Sequence, residues 1–193
     1  MRCMWAEQAP ELLRYHDAEW GFPVSDDRRL FEKMCLESFQ SGLSWRTILN
    51  KRESFRAAFA NFQIEAVARF GDSDVARLLG DAGIVRNRAK IEAVINNARR
   101  AEELLEHEGP LARLIWSYEP AAAELGEPQT MTTSPASIAM ARDLTSRGWK
   151  FLGPTTLFAF MQSMGLINDH LLACPTRPAV DAARGEFTRP GPR

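Results

Sequence analysis

The chain has 193 residues, of which 45% are hydrophobic and 25% charged, and its formal net charge is −1. That balance suits a globular protein able to bury a real core, and it carries no overall sign of nucleic-acid binding, so any basic surface must be local. Three cysteines are too few and too scattered for a disulfide framework, no apolar signal core opens the chain, and the longest apolar stretch is too short to span a bilayer, which together point to a soluble cytoplasmic protein.

The predicted elements are helical almost throughout. Ser25 is placed to cap a helix from Asp26, with Leu30, Phe31, Met34 and Cys35 on its apolar face and Gly42 beyond its end. Ser44 is placed to cap the next helix, WRTILNKRESFRAAF. A helix from Ser73, a tight turn GDAGI and the basic helix RNRAKIEAVINNARRAEELLE follow. Residues 119–130, EPAAAELGEPQT, read as a loop. Ser134 followed by Pro135 is a strong helix start. Two short helices, PTTLFAFMQSM and NDHLLAC, precede Pro175, and residues 176–193 read as a Pro-rich, partly disordered tail. No stretch alternates long enough for a strand, so the fold class is all-α.

Three groups of residues carry chemistry. The chain has three histidines and three cysteines, and two of each lie near its ends: Cys3 and His16, His170 and Cys174. His170 and Cys174, one helical turn apart, share a face, and thiolate and imidazole are the donors that zinc prefers. Each residue alone also fits plain packing, and the wide separation matches no compact zinc finger. Cys35 and His107, the remaining pair, fall on an apolar face and in a charged stretch respectively. The second group, CLESFQSGLSW, sets Glu37 before a glycine-containing turn and Trp45, with Trp5, Tyr15 and Trp20 near the first ligand pair. This fits either a tryptophan-rich core with a solvated glutamate or an aromatic box with one carboxylate, suited to a flat cationic ring. The third group is the hairpin around Gly83, with Arg86, Arg88, Lys90, Arg99 and Arg100. Turn amides and a helix N-terminus can hold a phosphate, although a charged helix face is commonly just solvated.

In their order along the chain, the stretches RCMW, YHDAEWG, FEKMCLESFQSGLSW, AGIVRNRAKIEAVINNAR and GWKFLGPTTLFAFMQSMGLINDH, with a cysteine four residues after that histidine, resemble the DNA-3-methyladenine glycosylase I family. The resemblance covers most of residues 1–175. It implies one all-helical glycosylase domain over 1–175, with a helix-hairpin-helix at about 73–100 and a structural Zn2+ that joins the termini through Cys3, His16, His170 and Cys174. It implies a base-excision repair enzyme that hydrolyses the N-glycosidic bond of N3-methyladenine in alkylated double-stranded DNA. Glu37 would hydrogen-bond the flipped base and carry the catalytic role, Trp45 would stack on it, and Trp5 and Tyr15 would be further walls. Gly42, Leu43 and Ser44 would lie at the gap in the duplex, and Gly83, Arg86, Arg88 and Lys90 would hold phosphates.

The chain departs from that pattern in two places. Leu12 and Leu13 stand where better-known members carry another aromatic, and no residue clearly replaces the catalytic aspartate of other helix-hairpin-helix glycosylases, Asp143 matching by position only. A non-catalytic binder of alkylated or distorted DNA is therefore the alternative, and a helical interaction module the blander one. A monomer is expected, since one protein can flank a flipped nucleotide from one side.

Overall fold

Apolar residues recur at helical spacing along the chain, and residues 1–191, which this computed structural model describes, form helices and 3-10 turns with no strand among them. The chain divides into two compact units, each assembled from separate segments: Met1–Ser25, Ala112–Ala141 and Gly153–Arg193 in the first, Asp26–Leu111 and Arg142–Leu152 in the second. Among the described residues, no helix is long and apolar enough to cross a membrane.

The first unit begins with a 3-10 turn, Met4–Gln8, and α1 (Pro10–Ala18), whose proline sits at the first helical position, where no amide is needed. The second unit contains α2 (Asp27–Gln40), α3 (Trp45–Ala58), α4 (Ile64–Ala68), α5 (Asp72–Gly80) and α6 (Arg88–His107). Asp26, rather than the expected Ser25, caps α2, its carboxylate accepting the Arg29 amide at 2.8 Å. Ser44 caps α3 as expected, and Asn87 caps α6. Every residue of α2 from Leu30 to Phe39 is buried, so this helix runs through the interior instead of presenting one apolar stripe. Phenylalanines pack around it: Phe39 meets Phe55 at a tilt, 4.7 Å between ring centroids, and Phe59 stacks on Phe62 at 5.6 Å. Between α5 and α6 the chain turns tightly. The Asp81 carboxylate accepts the Gly83 amide at 2.7 Å, and Lys51 donates to the carbonyls of Ala82 and Gly83 at 3.0 and 3.2 Å.

Later in the chain come α7 (Leu111–Trp116), α8 (Pro135–Ser146), α9 (Pro154–Ser163) and α10 (Arg177–Glu186). Ser134 caps α8, accepting the Ser137 amide at 3.1 Å, and α8 carries the chain from the first unit into the second. In the first unit the Trp116 indole donates to the Val24 carbonyl at 2.8 Å. The 119–130 segment is loop apart from a short 3-10 turn, Ala122–Glu124.

Two expectations are corrected. NDHLLAC is not a helix: Cys174 closes a turn onto the Leu171 carbonyl at 2.9 Å. Its polar side chains are bonded away from a helical register, Asn168 to Asp181 at 2.6 Å, and Asp169 to the Gln129 amide at 3.0 Å and to Gln162 at 2.6 Å. The tail is not disordered over Arg177–Glu186, which forms α10. Val180 is fully buried, and Arg184 and Arg189 each donate to Glu119 at 2.7 Å, so one apolar anchor and two ion pairs hold a segment that composition alone reads as loose. Residues 192 and 193 of that tail lie outside the described residues.

Gly165 leads the chain out of α9 toward His170. Its φ is +81°, and a Cβ there would lie 2.5 Å from the backbone of Phe22 and Pro23. The left-handed conformation and the close approach both demand glycine. Gly165→Ala is expected to cost roughly 2–4 kcal/mol, read as a lowered urea midpoint with unchanged m-value.

Candidate functional site

Four buried side chains meet in the first unit. Cys3 precedes the 3-10 turn, His16 lies in the last turn of α1, and His170 and Cys174 lie on the irregular stretch after α9. Their donor atoms all fall within 4.8 Å of one another. Cys174 Sγ is 3.6 Å from both His16 Nε2 and His170 Nδ1, Cys3 Sγ is 3.9 Å from His170 Nδ1, and the two ring nitrogens are 3.0 Å apart. A tetrahedral ion with bonds of about 2.3 Å to sulfur and 2.0–2.1 Å to nitrogen sets S···N edges of about 3.6 Å and N···N edges of about 3.3 Å. The four quoted edges match these to within about 0.3 Å, and the remaining donor separations stay within 4.8 Å. The four residues grouped from the sequence do meet here, but a turn, not a helical face, brings His170 and Cys174 together.

The surroundings fix which ring nitrogens face inward. His16 Nδ1 donates to the Asp17 carboxylate at 2.7 Å, and His170 Nε2 donates to the Trp20 carbonyl at 3.0 Å. Each ring therefore turns a bare lone pair toward the other, an arrangement that favours a cation between them. Burial holds the His170 pKa down at about 4, so the ring is neutral, as a ligand must be. Burial also pushes the Cys3 thiol up, with the neighbouring Cys174 adding to it. Burial works against ionisation of Asp17, but hydrogen bonds from His16, Thr176 and Arg2 prevail and hold its carboxyl below the usual range. Trp5 and Trp20 wrap the cluster, packing edge-to-face at 5.1 Å, and Trp5 also meets Tyr15 at 6.3 Å. Leu12 is a core residue and Leu13 is half-buried. A side chain at Gly21, whose φ is +87°, would meet His170 Nε2 at 3.2 Å. Helix α10 braces the ligand-bearing loop, with Arg177 donating to the His170 carbonyl and Asp181 accepting from Asn168.

The second constellation lies wholly in the second unit. Glu37, in the last turns of α2, is 5% exposed. Lys33 Nζ lies 3.1 Å from Glu37 Oε1 and 3.3 Å from the centroid of the Trp45 ring at the start of α3. Glu37 and Trp45 stand out in the sequence, whereas Lys33 was missed. Its signal is present in LFEKMCLESF: a Lys–Glu pair at i, i+4 inside an otherwise apolar helix. Between the two helices, Gly42 takes φ +82° and Leu43 and Ser44 are exposed. Gln40 donates to the Leu43 carbonyl at 2.6 Å, which ties the loop back to α2.

The basic residues separate into two kinds. Arg86 and Arg88 are exposed at the start of α6. Lys90, expected beside them on the surface, is buried and donates to the carbonyls of Phe39 at 2.9 Å and Ser41 at 2.6 Å, with burial lowering its pKa. The i, i+2 step turns it to the inner face of α6, where it saturates the carbonyl end of α2. Arg99 likewise donates to the Ala68 and Phe70 carbonyls, and the Gly83 amide to Asp81. Asp143 pairs with Arg147 at 2.9 Å within α8 and the turn after it. Cys35 is buried, which pushes its thiol well up, and His107 is exposed, so both behave as packing and surface residues.

The profile of the methyladenine glycosylase family matches residues 5–177. The DNA-3-methyladenine glycosylase 1 of Escherichia coli (strain K12) is 42% identical over 181 residues, covering 92% of this chain and 97% of that protein. A crystal structure of a 3-methyladenine DNA glycosylase I superposes with a TM-score of 0.86 at 42% identity, over 91% of this chain and 98% of the other. The Staphylococcus aureus 3-methyladenine DNA glycosylase I, whose structure addresses 3-methyladenine recognition, superposes with a TM-score of 0.85 at 36% identity, over 91% of this chain and 96% of the other.

The placement of Lys90 gives a direct test. Lys90→Met leaves the two carbonyls at the end of α2 without that donor and is expected to lower unfolding free energy by about 1–3 kcal/mol. Substituting the exposed Arg86 or Arg88 by Met should change it by no more than about 0.5 kcal/mol. Chemical denaturation of the three variants makes the comparison.

Proposed function

We propose that this chain, which belongs to the methyladenine glycosylase family, is a DNA-3-methyladenine glycosylase that excises N3-methyladenine from alkylated DNA in base-excision repair. The observation that carries the reading is the match itself, which runs over residues 5–177. We further propose double-stranded DNA as the partner, a monomer as the active form, and one glycosylase domain over 1–175. The chain passes between the two units four times, which suits one cooperative domain better than two independent ones.

Methylation at N3 places a positive charge on the base and makes it a good leaving group. Less acid–base assistance is then needed than for a neutral base, which agrees with the commitment of Asp143 to Arg147. The main demands are to extrude the nucleotide, at a cost of a few kcal/mol, and to hold a flat cation. Glu37 and Trp45 are suited to hold it. A buried carboxylate accepts hydrogen bonds from the base edge and offsets its charge, and an indole face attracts a cationic ring. Trp5 and Tyr15 are assigned as further aromatic contacts, Trp5 being only half-buried. The exposed loop Gly42, Leu43, Ser44 is assigned to the gap left in the duplex. The α5–turn–α6 segment is assigned as a helix-hairpin-helix that grips phosphates through the turn around Gly83 and through Arg86 and Arg88, with Lys90 as its internal support.

We assign the cluster Cys3, His16, His170 and Cys174 to a structural zinc. The donor set is the one zinc prefers, the spacing fits, and four protein donors leave no position for a water, so the ion's contribution is to fasten the two ends of the chain. Asp17 and the Trp20 carbonyl orient the two imidazoles.

Two measurements test the reading. The intact protein is expected to release free 3-methyladenine from methylated duplex DNA, and Glu37→Gln to slow that release by roughly 10–100-fold, the worth of a hydrogen bond to a charged group. Binding of the same DNA without base release would favour the non-catalytic alternative. Purified protein is expected to carry zinc in stoichiometric amount by metal analysis. Cys174→Ser should lose the metal and at least roughly 5 °C of Tm, and unchanged stability would end the fastening argument.

A further inference from the structure

The cationic base proposed above needs two partners in the second unit, the Glu37 carboxylate and the Trp45 face. Both are already engaged by a cation. Lys33 Nζ lies 3.1 Å from Glu37 Oε1 and 3.3 Å from the Trp45 centroid, on a side chain only 7% exposed. One ammonium group thus makes the charge-assisted bond and the cation–π contact that the methylated base would make. A cationic base bound to that same oxygen and that same ring face would take the place the ammonium now fills. Base binding must therefore be an exchange.

We propose that Lys33 is an internal surrogate for the cationic base. It covers Glu37 and Trp45 in the free protein and is displaced when a positively charged base enters. The inference rests on the assignment of Glu37 and Trp45 to base recognition. Its physical content is a penalty on entry. Any base that displaces the ammonium forfeits the Lys33–Glu37 and Lys33–Trp45 contacts. A cationic base restores both, whereas a neutral base of the same shape restores neither and does not displace the ammonium. Lys33 therefore lowers affinity for the cationic base and hardly touches a neutral one, which gains little from its removal because Glu37 would then be buried with no counter-charge. Its four-carbon stem supplies the freedom to move, since the ammonium can swing away while the stem stays packed along α2.

The test uses the full-length, metal-loaded protein and two small ligands of matched shape. 3,9-Dimethyladeninium carries a fixed positive charge, and 9-methyladenine is its neutral counterpart. Calorimetric titration compares the unaltered protein with Lys33→Met, Lys33→Gln and Glu37→Gln, each first checked by thermal melting. Both Lys33 variants are expected to bind the cation about tenfold tighter and the neutral ligand within about threefold of the unaltered protein. A role for Lys33 in packing alone would move both ligands together. If Glu37→Gln weakens the cation while neither Lys33 variant tightens it, the surrogate role is overturned and the recognition site stands. If Glu37→Gln leaves the cation unaffected, the recognition site itself is wrong and the Lys33 inference falls with it.

Discussion

Two imidazole nitrogens, each obliged to present a lone pair, face each other 3.0 Å apart in a buried cluster. Much of the first unit is arranged around that contact. Asp17 and the Trp20 carbonyl take the outward N–H groups, so neither ring can relieve the contact by a simple change of tautomer. Thr176 and Arg2 also converge on Asp17, so the carboxylate that orients His16 is itself held from both ends of the chain. Gly21 and Gly165 keep side chains out of the space that the rings and the chain reversal require. A cation at the centre would turn an unfavourable geometry into the reason for it. It would also close a loop of more than 150 residues, and long loops have the most conformational entropy to lose in the unfolded chain.

The second unit solves a related problem with charges of its own. Charges buried along a helix are costly unless paired, and α2 carries Glu32, Lys33 and Glu37 in its buried stretch. Glu32 is paired with Arg56 at 2.7 Å, and Lys33 with Glu37 at 3.1 Å. The carbonyl end of the helix, where the backbone dipole is negative, receives the Lys90 ammonium. These three arrangements balance charge along the helix. The Lys90 ammonium also holds the end of α2 from which the exposed 41–44 loop departs, so an interior hydrogen bond positions the loop together with the Gln40–Leu43 contact.

Caps and rarity were the legible parts of the sequence. Ser44 and Ser134 announced their helices because a capping side chain acts within three residues, and the four metal-binding candidates stood out because the chain holds so few histidines and cysteines. Illegible were the features decided by distant partners. NDHLLAC has helical composition, but Asn168 and Asp169 bond to Asp181, Gln129 and Gln162, and those contacts override local preference. The tail looks loose by composition, yet Val180, Arg184 and Arg189 all find partners. Lys90 misleads because a lysine among arginines reads as surface charge, although helical geometry puts it on the other face. Leu12, which the resemblance sets where other members carry an aromatic, is a core residue in this fold.

Lys33 explains how the second unit can keep a carboxylate ready in its interior. At 5% exposure, a Glu37 carboxylate without a counter-ion would carry the whole desolvation cost of its charge. A resident cation offsets that cost between encounters, and a lysine does so with a group that can leave. Arginine in that place would bind the carboxylate through two donors and hold the ring face with a plane, making removal harder. The same logic accounts for the contrast with Lys90. That ammonium is tied to two backbone carbonyls that no incoming base can replace, so it supports the loop and stays. The Lys33 contacts with Glu37 and Trp45 are ones that a cationic base can satisfy in its stead.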